Sequence, residues 1–229
     1  MARPDRRDPD QIRALNSVLG QLSRADGSAQ FSTGSTSVVC GVYGPVDVKL
    51  FDEHLDRAHV EVKLRPDIGI PGPKDKWLES AILQTLEGNI LAHLHPRTLV
   101  QINVQVRADG GSLDACAINA AILALVDAGV PLRLMVAAAA CAVMPDGRIV
   151  VDPVAEEAEA ARSLHTFAFA EKGLGEGEGP VYVDSRGVFG IEEYDACYGV
   201  CERAVGRVLA FMRSAVESKV TKESHVAGA

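Results

Sequence analysis

The chain has 229 residues, 47% hydrophobic and 24% charged, which is the composition of a globular protein with room for a sizeable core. Its formal net charge of −8 excludes a protein held on nucleic acid or acidic membranes by overall positive charge. The longest apolar runs are too short or too interrupted to span a bilayer, so we expect no membrane partner. The five cysteines lie in apolar settings and are expected to be reduced thiols of the core.

The first part of the chain predicts strands followed by one helix. Residues 1–10 form a polar arm, and residues 11–22 fit either a short helix or an extended segment. Strand patterns follow at 28–33, 36–43, 46–51 and 59–64, with a hairpin turn at Gly34. After a loop at 69–73, apolar residues at helical spacing predict a helix over 74–93.

The second part repeats this arrangement. A strand over 99–108 precedes an apolar helix over 113–128, which Gly129 and Pro131 close. Further strands are predicted at 135–144, 148–151, 163–170 and 181–184, with a Gly/Glu-rich loop at 171–179 and a long helix at 192–217. Composition shows no break, which indicates a single α+β domain over 11–218 with a flexible tail at 219–229.

The turn before the apolar helix is the most informative feature of the sequence. Gly110 and Gly111 follow a strand and open the helix, so the backbone N–H groups at its start form a ready anion site. Leu113 and Asp114 occupy the positions where a catalytic phosphate clamp needs arginine. The sequence thus predicts a phosphate-using scaffold that lacks part of its chemistry.

Several segments together resemble the RNase PH-like subunits that form the ring of the RNA exosome. They are 24–28 (RADGS), 36–45 (TSVVCGVYGP), 64–72 (LRPDIGIPG), 94–98 (LHPRT) and 113–131. The resemblance implies an α+β RNase PH-like fold (ribosomal protein S5 domain 2-like), in which two β-α halves have mixed sheets packed on helices. It also implies a place beside other RNase PH-like ring subunits and cap subunits, with RNA as a partner. Work in RNA 3′-end processing and decay, including rRNA processing, is implied in the nucleus, the nucleolus and the cytoplasm.

Phosphorolysis needs a bound phosphate, and active relatives resemble Gly-Gly-Thr-Arg at the start of this helix. The matching positions give Gly111, Ser112 and Leu113 as candidate phosphate-binding residues, through backbone amides or the Ser112 hydroxyl. Leu113 brings no charge, and Asp114 in the first turn repels an anion. Ser112 is also explained as a simple N-cap, which stabilises a helix by about 1 kcal/mol, and we favour that interpretation over phosphate binding.

The grip on RNA in active relatives resembles an arginine-rich start of the helix that precedes the Gly-Gly turn. Leu78, Ser80 and Leu83 stand at those positions here. The candidate nucleic-acid-binding residues are therefore Lys74, Lys76, Arg65 and Arg97. Lysine is a poorer bidentate clamp than arginine, and we favour a solvated helix start as the explanation of Lys74 and Lys76. Arg65 and Arg97 are also explained as partner-facing residues or as surface ion pairs.

The acid of active relatives resembles an Asp after a strand with a second Asp six residues later. Asp152 matches the first, and Ala158 replaces the second. The candidate catalytic residues are Asp152, Glu156, Glu157 and Glu159, and Asp152 and Glu157 are the candidate metal ligands. Paired carboxylates bind Mg²⁺ and activate water, but carboxylates at a helix start also stabilise the helix by themselves.

Three functions remain open from the sequence, and the third of them is a plain assembly module that never touches RNA. The first is a structural and RNA-path subunit of the ring with a degraded phosphorolytic site, which requires no cofactor. The second is an autonomous homodimeric nuclease on RNA or DNA, which would use inorganic phosphate or Mg²⁺. The replaced arginines and the missing second Asp leave open whether the chain is an enzyme.

Overall fold

The computed structural model of the chain describes Arg3 and residues 5–171 and 179–227. Most of the predicted Gly/Glu-rich loop, residues 172–178, lies outside this part, as do parts of the predicted arm and tail. The described strands form one five-stranded and one four-stranded sheet, and four α-helices accompany them. This arrangement confirms the predicted α+β fold with two halves, each a sheet with helices.

The first sheet is built from the N-terminal strands in the order β1-β2-β3-β5-β4. Its strands are β1 (Leu15–Leu19), β2 (Gly27–Thr33), β3 (Thr36–Asp47), β4 (His59–Arg65) and β5 (Thr98–Ala108). Strand β4 pairs in parallel with β5, whereas the other pairs are antiparallel, so the sheet is mixed. Helix α1 (Pro73–Glu87) provides the parallel crossover between β4 and β5 and packs on β4.

The second sheet has the order β7-β6-β8-β9 and is antiparallel throughout. Its strands are β6 (Val136–Val143), β7 (Ile149–Val151), β8 (Ser163–Ala170) and β9 (Tyr182–Gly187). Between the sheets lies α2 (Leu113–Asp127), which contacts β2 and β3 on one side and β6 on the other. Its residues 115–125 are all buried, which explains why the sequence is apolar almost all round.

The remaining helices are α3 (Ala155–Ala160) and α4 (Ile191–Ala227). Helix α4 packs on β6 and β8, and its buried thiols Cys197 and Cys201 point into the core. All five cysteines are free and buried, as predicted. No helix in the described part of the chain is both long and apolar enough to cross a bilayer.

Several boundaries differ from the sequence predictions. The segment 11–22 holds a strand, β1, which the sequence left undecided. The two strands predicted at 36–43 and 46–51 are one strand, β3, which ends at Asp47. Helix α1 stops at Glu87, before Gly88 and Asn89, and a 3-10 turn (Ala92–Leu94) takes the rest of the predicted helix. Helix α4 continues through the predicted flexible tail as far as Ala227.

Candidate active site

The predicted catalytic acid Asp152 is bound by an arginine from the N-terminal segment. The Arg13 guanidinium donates from Nε to Asp152 Oδ2 at 2.8 Å and from Nη2 to Oδ1 at 2.6 Å, and the Arg13 backbone N–H adds a bond of 3.0 Å. Asp152 is 5% exposed and Arg13 is 7% exposed, so this bidentate pair is buried. The carboxylate is therefore neutralised within the chain.

The same guanidinium holds the Gly-Gly turn. Arg13 donates to the carbonyl oxygens of Gly110 at 3.0 Å and Gly111 at 2.9 Å, and the Thr36 hydroxyl also donates to Gly111 O at 2.6 Å. A Cβ on Gly110 would lie 1.9 Å from Ser35 Oγ, and Gly111 has φ +103°. Both glycines are thus required by close approach and backbone conformation.

Glu157 is held in a similar way by the N-terminal arm. Arg3 donates from Nε and Nη2 to the two carboxylate oxygens of Glu157, each at 3.0 Å, and the Val154 N–H donates to Oε2 at 3.0 Å. Arg3 Nη2 and Arg7 Nη2 also donate to the carbonyl oxygen of Asp152. These contacts tie the polar arm across the start of α3.

The proposed metal pair is consequently not a free pair of carboxylates. Both Asp152 and Glu157 are nearly buried and face arginines, so a cation would have to displace Arg13 and Arg3. No group of three or more His, Cys, Asp or Glu side chains suited to a metal occurs among the described residues. Glu156 and Glu159 are exposed on α3, and no hydrogen bond links Glu156 to Asp152 in the described part. The catalytic and metal roles of these acids remain predictions.

Ser112 has the N-cap position of α2 but does not cap it with its side chain. Its backbone is left-handed, with φ +54°, and its hydroxyl donates to Pro153 O at 3.0 Å instead of accepting from a helix N–H. The simple N-cap interpretation of this side chain was therefore wrong. The hydroxyl links the start of α2 to the segment that leads into α3.

The start of α2 opens into a cleft formed by two neighbouring cavities of about 350 and 630 Å³. The residues common to both cavities are Lys74, Asp109, Leu113, Asp114, Asp184 and Arg186. Gly111, Ser112 and Glu159 line the smaller cavity but not the larger one. Three carboxylates against two cations at the shared wall make this cleft unfavourable for a bare phosphate.

Arg186, on β9, is a site residue that sequence reasoning missed. It donates to Asp114 Oδ2 at 3.0 Å and to Asp184 Oδ2 at 2.9 Å, and its guanidinium lies 4.0 Å from the centre of the Trp77 ring. The sequence predicted that this strand ends at Asp184, whereas β9 continues to Gly187. Because alternate residues of a strand share a face, Arg186 lies on the same face as Asp184. The Arg186 guanidinium therefore already contacts two carboxylates and the Trp77 ring.

The ionisation of Asp114 reflects the same balance of charges. Burial raises the pKa of the Asp114 carboxyl, and Asp184 and Asp109 raise it further, while Arg186 opposes the shift. Burial and the neighbouring carboxylates Asp184 and Asp114 raise the pKa of Tyr182 to about 12. The wall of the cleft therefore disfavours added negative charge.

His165 is a second missed residue that lines the smaller cavity. Its ring nitrogens bond to the hydroxyls of Ser163 at 3.0 Å and Ser185 at 2.8 Å, and the ring of Phe189 lies at 4.6 Å. Burial lowers the pKa of His165, which favours the neutral imidazole. The strand pattern of 163–170 gave no indication that the His165 side chain would line a cavity.

The four predicted nucleic-acid-binding cations are not brought together. Lys74 lines the cleft, but Lys76 is ion-paired with Glu79. Arg97 lies in the loop before β5, 3.5 Å from a carboxylate oxygen of Glu53. Arg65 ends β4 on the exposed side of the first sheet. Their role in binding RNA stays a prediction, with Lys74 the one placed at the cleft.

Comparison with known proteins gives one consistent picture. The RNase PH profile, described as 3′ exoribonuclease family, domain 1, matches residues 11–131. The exosome complex exonuclease RRP46 homolog of Oryza sativa subsp. japonica is 31% identical over 230 residues, covering 95% of this chain and 97% of that protein.

Two solved structures are similar over most of their length. The crystal structure of rice (Oryza sativa) Rrp46 superposes with a TM-score of 0.85 at 33% identity, covering 92% of this chain and 98% of that chain. A chain of the Archaeoglobus fulgidus exosome with RNA bound to the active site gives a TM-score of 0.77 at 18% identity, covering 91% of this chain and 92% of that one. At that identity the second likeness concerns the fold alone.

Proposed function

This chain belongs to the RNase PH group of the 3′ exoribonuclease family, and we propose that it is a ring subunit of an RNA exosome acting in 3′–5′ RNA processing and decay. A relative called an exosome complex exonuclease matches it over 97% of that relative's length, which supports the assignment. Other RNase PH-like ring subunits, cap subunits and RNA are its proposed partners. Its proposed location is the nucleus and nucleolus, and also the cytoplasm.

Within such a ring we propose a structural and RNA-path role with a degraded phosphorolytic site. The observation that carries this proposal is the bidentate pairing of the buried Asp152 with Arg13, which engages both carboxylate oxygens of the acid that would serve the leaving group. Leu113 also supplies no charge where a phosphate must be clamped, and Arg186 is already bound by Asp114 and Asp184.

The test is a phosphorolysis assay on the purified chain, alone and after assembly with RNase PH-like ring partners. Labelled single-stranded RNA is incubated with and without inorganic phosphate, and nucleoside diphosphates are measured. We expect ring assembly without phosphate-dependent product from this subunit. Nucleoside diphosphates formed by the chain alone, and lost in Asp152→Asn, would refute the degraded site.

The second candidate is a homodimeric nuclease on RNA or DNA, and one observation favours it. The smaller cavity keeps a volume of about 350 Å³ beside Ser112, Lys74 and Glu159, which is room for an anion or a hydrated cation. Inorganic phosphate would support phosphorolysis there, and Mg²⁺ would support hydrolysis. Mg²⁺-dependent monophosphates that disappear in Glu159→Gln but not in the control Glu192→Gln, which changes an exposed acid on α4, would establish this activity. Equal products from both variants would point to a contaminating nuclease.

A further inference from the structure

The first sheet has one face packed on helices and one face open. Along β3, Val38, Cys40 and Val42 are fully buried, whereas Val39 and Tyr43 on the opposite side are partly exposed. The open side of β5 is polar and carries Asn103, Gln105 and Arg107. This face is therefore a surface of the described fold that the cleft does not use.

A groove of about 390 Å³ runs over this open face. Its apolar floor and wall come from Val39, Gly41, Tyr43 and Leu22. A Cβ built on Gly41 would lie 3.0 Å from Leu22 Cδ1 and 3.7 Å from Tyr43 Cε2, so the missing side chain is what leaves the groove open. Amide side chains and one arginine form its rim: Gln21, Asn103, Gln105 and Arg107.

The charge of this groove is opposite to that of the cleft. No carboxylate is among the residues that line it, although the chain carries a net charge of −8. Arg65 is the register partner of Gln105 on the neighbouring strand, so it lies beside the rim. Neither Arg65 nor Arg107 forms an ion pair with any described residue, whereas Lys63 on the same face is paired with Glu61.

We propose that this groove binds an unpaired nucleobase of single-stranded RNA, with Arg65 and Arg107 on the adjoining phosphates. The Tyr43 ring offers a stacking surface, and amide side chains such as that of Asn103 hydrogen-bond base edges. Neither the Tyr43 hydroxyl nor the Asn103 amide has a hydrogen-bond partner within the described part of the chain. The proposal rests on the proposed work with RNA but uses a surface that shares no lining residue with the cleft.

The test measures fluorescence anisotropy of a labelled single-stranded RNA of about 12 nucleotides on the full chain, over a range of salt concentrations. In Arg65→Gln/Arg107→Gln we expect affinity to fall about tenfold or more. The slope of log affinity against log salt should shrink by about 1.4, because each phosphate contact on a single strand contributes about 0.7. The matched control, Arg203→Gln/Lys222→Gln, removes the same charge from α4 and should leave the slope unchanged.

Two further variants separate the base from the phosphates. Gly41→Val fills the groove without changing charge, so affinity should fall about fivefold or more while the salt slope stays the same. Asn103→Asp is isosteric and replaces the amide donor with a carboxylate, so affinity should fall by about fivefold or more, which tests the groove if Gly41→Val fails to fold in a thermal melt. Crosslinking of a 4-thiouridine RNA to the peptide that contains Tyr43 is the direct readout.

The proposal is overturned if the groove variants bind RNA as the wild type does, or if the control weakens binding equally. It is also overturned if Gly41→Val abolishes self-association in sedimentation without affecting RNA, since the groove would then be a protein interface. Assembly with ring partners is scored separately. If the chain does not assemble with ring partners but its groove still binds RNA, only the proposed ring role is refuted. If the chain assembles but its groove does not bind RNA, only this inference is refuted.

Discussion

The pairing of Arg13 with Asp152 predicts a large loss of stability when the arginine is removed. Arg13→Met removes the bidentate partner of the Asp152 carboxylate, which is 5% exposed and keeps a longer contact of 3.8 Å to Arg7. It also removes one of the donors to Gly110 O and to Gly111 O. Breaking a buried ion pair from one side costs about 3–5 kcal/mol. For a domain of this size, a loss of that order lowers Tm by about 6–20 °C.

Urea unfolding followed by Trp77 fluorescence and far-UV circular dichroism measures this loss, provided that the two signals coincide. The matched control is Arg148→Met, because the Arg148–Asp146 pair has side chains that are 46% and 48% exposed. An exposed pair of this kind contributes about 0–1 kcal/mol, so the control should unfold close to the wild type.

A double-mutant cycle then separates the ion pair from the rest of the arginine's contacts. Arg13→Met/Asp152→Asn no longer buries a carboxylate that has lost its bidentate partner, so it should be more stable than additivity of the single variants predicts, by about 1–3 kcal/mol. A loss below about 1 kcal/mol in Arg13→Met, or strict additivity in the cycle, would refute the structural role of Asp152. The acid would then be available for chemistry.

Three further predictions concern the cleft and its supports. Arg186→Ala removes the cation over Trp77, so we expect a change in Trp77 emission with a stability loss of no more than about 1 kcal/mol in thermal melts, because the arginine is half exposed. Burial lowers the pKa of His165 below its unfolded value of 6.5, so its contribution to stability is complete above about pH 6.5 and is lost as pH falls towards the folded-state pKa. His165→Phe should therefore reduce the difference in unfolding free energy between about pH 7.5 and pH 5.5, and an unchanged difference would contradict this assignment. Gly110→Ala places a Cβ 1.9 Å from Ser35 Oγ, so it should destabilise by about 2 kcal/mol or more in urea, and Ser35→Gly should partly rescue it.

The elements that the sequence predicted well are those whose burial is uniform or strictly alternating. The apolar run of 113–128 became α2, which lies between two sheets, and the alternation of 36–43 became the start of β3. The prediction of a flexible tail at 219–229 failed because a polar sequence gives no apolar stripe from which to predict a helix. Lys219 nevertheless pairs with Asp127 on α2, and α4 continues beyond it.

The contacts that decide the candidate site join residues far apart in sequence, and local patterns carry no information about them. Arg13 lies 139 residues before Asp152, and Arg3 lies 154 residues before Glu157. The sequence could identify both acids as candidates from their place at a helix start. It could not show that the polar N-terminal arm supplies the arginines that neutralise them.

Hydrogen bonds to its two carbonyl oxygens hold the Gly-Gly turn. The carbonyl oxygens of Gly110 and Gly111 accept hydrogen bonds from Arg13, which also binds Asp152. One buried guanidinium therefore connects the segment before β1 to the Gly-Gly turn and to the residue that follows β7. On the cleft side, Leu113 and an Asp114 already paired with Arg186 replace an anion clamp. These contacts stabilise the turn without a bound phosphate, so the turn can be kept for stability alone, as the proposed loss of phosphorolysis requires.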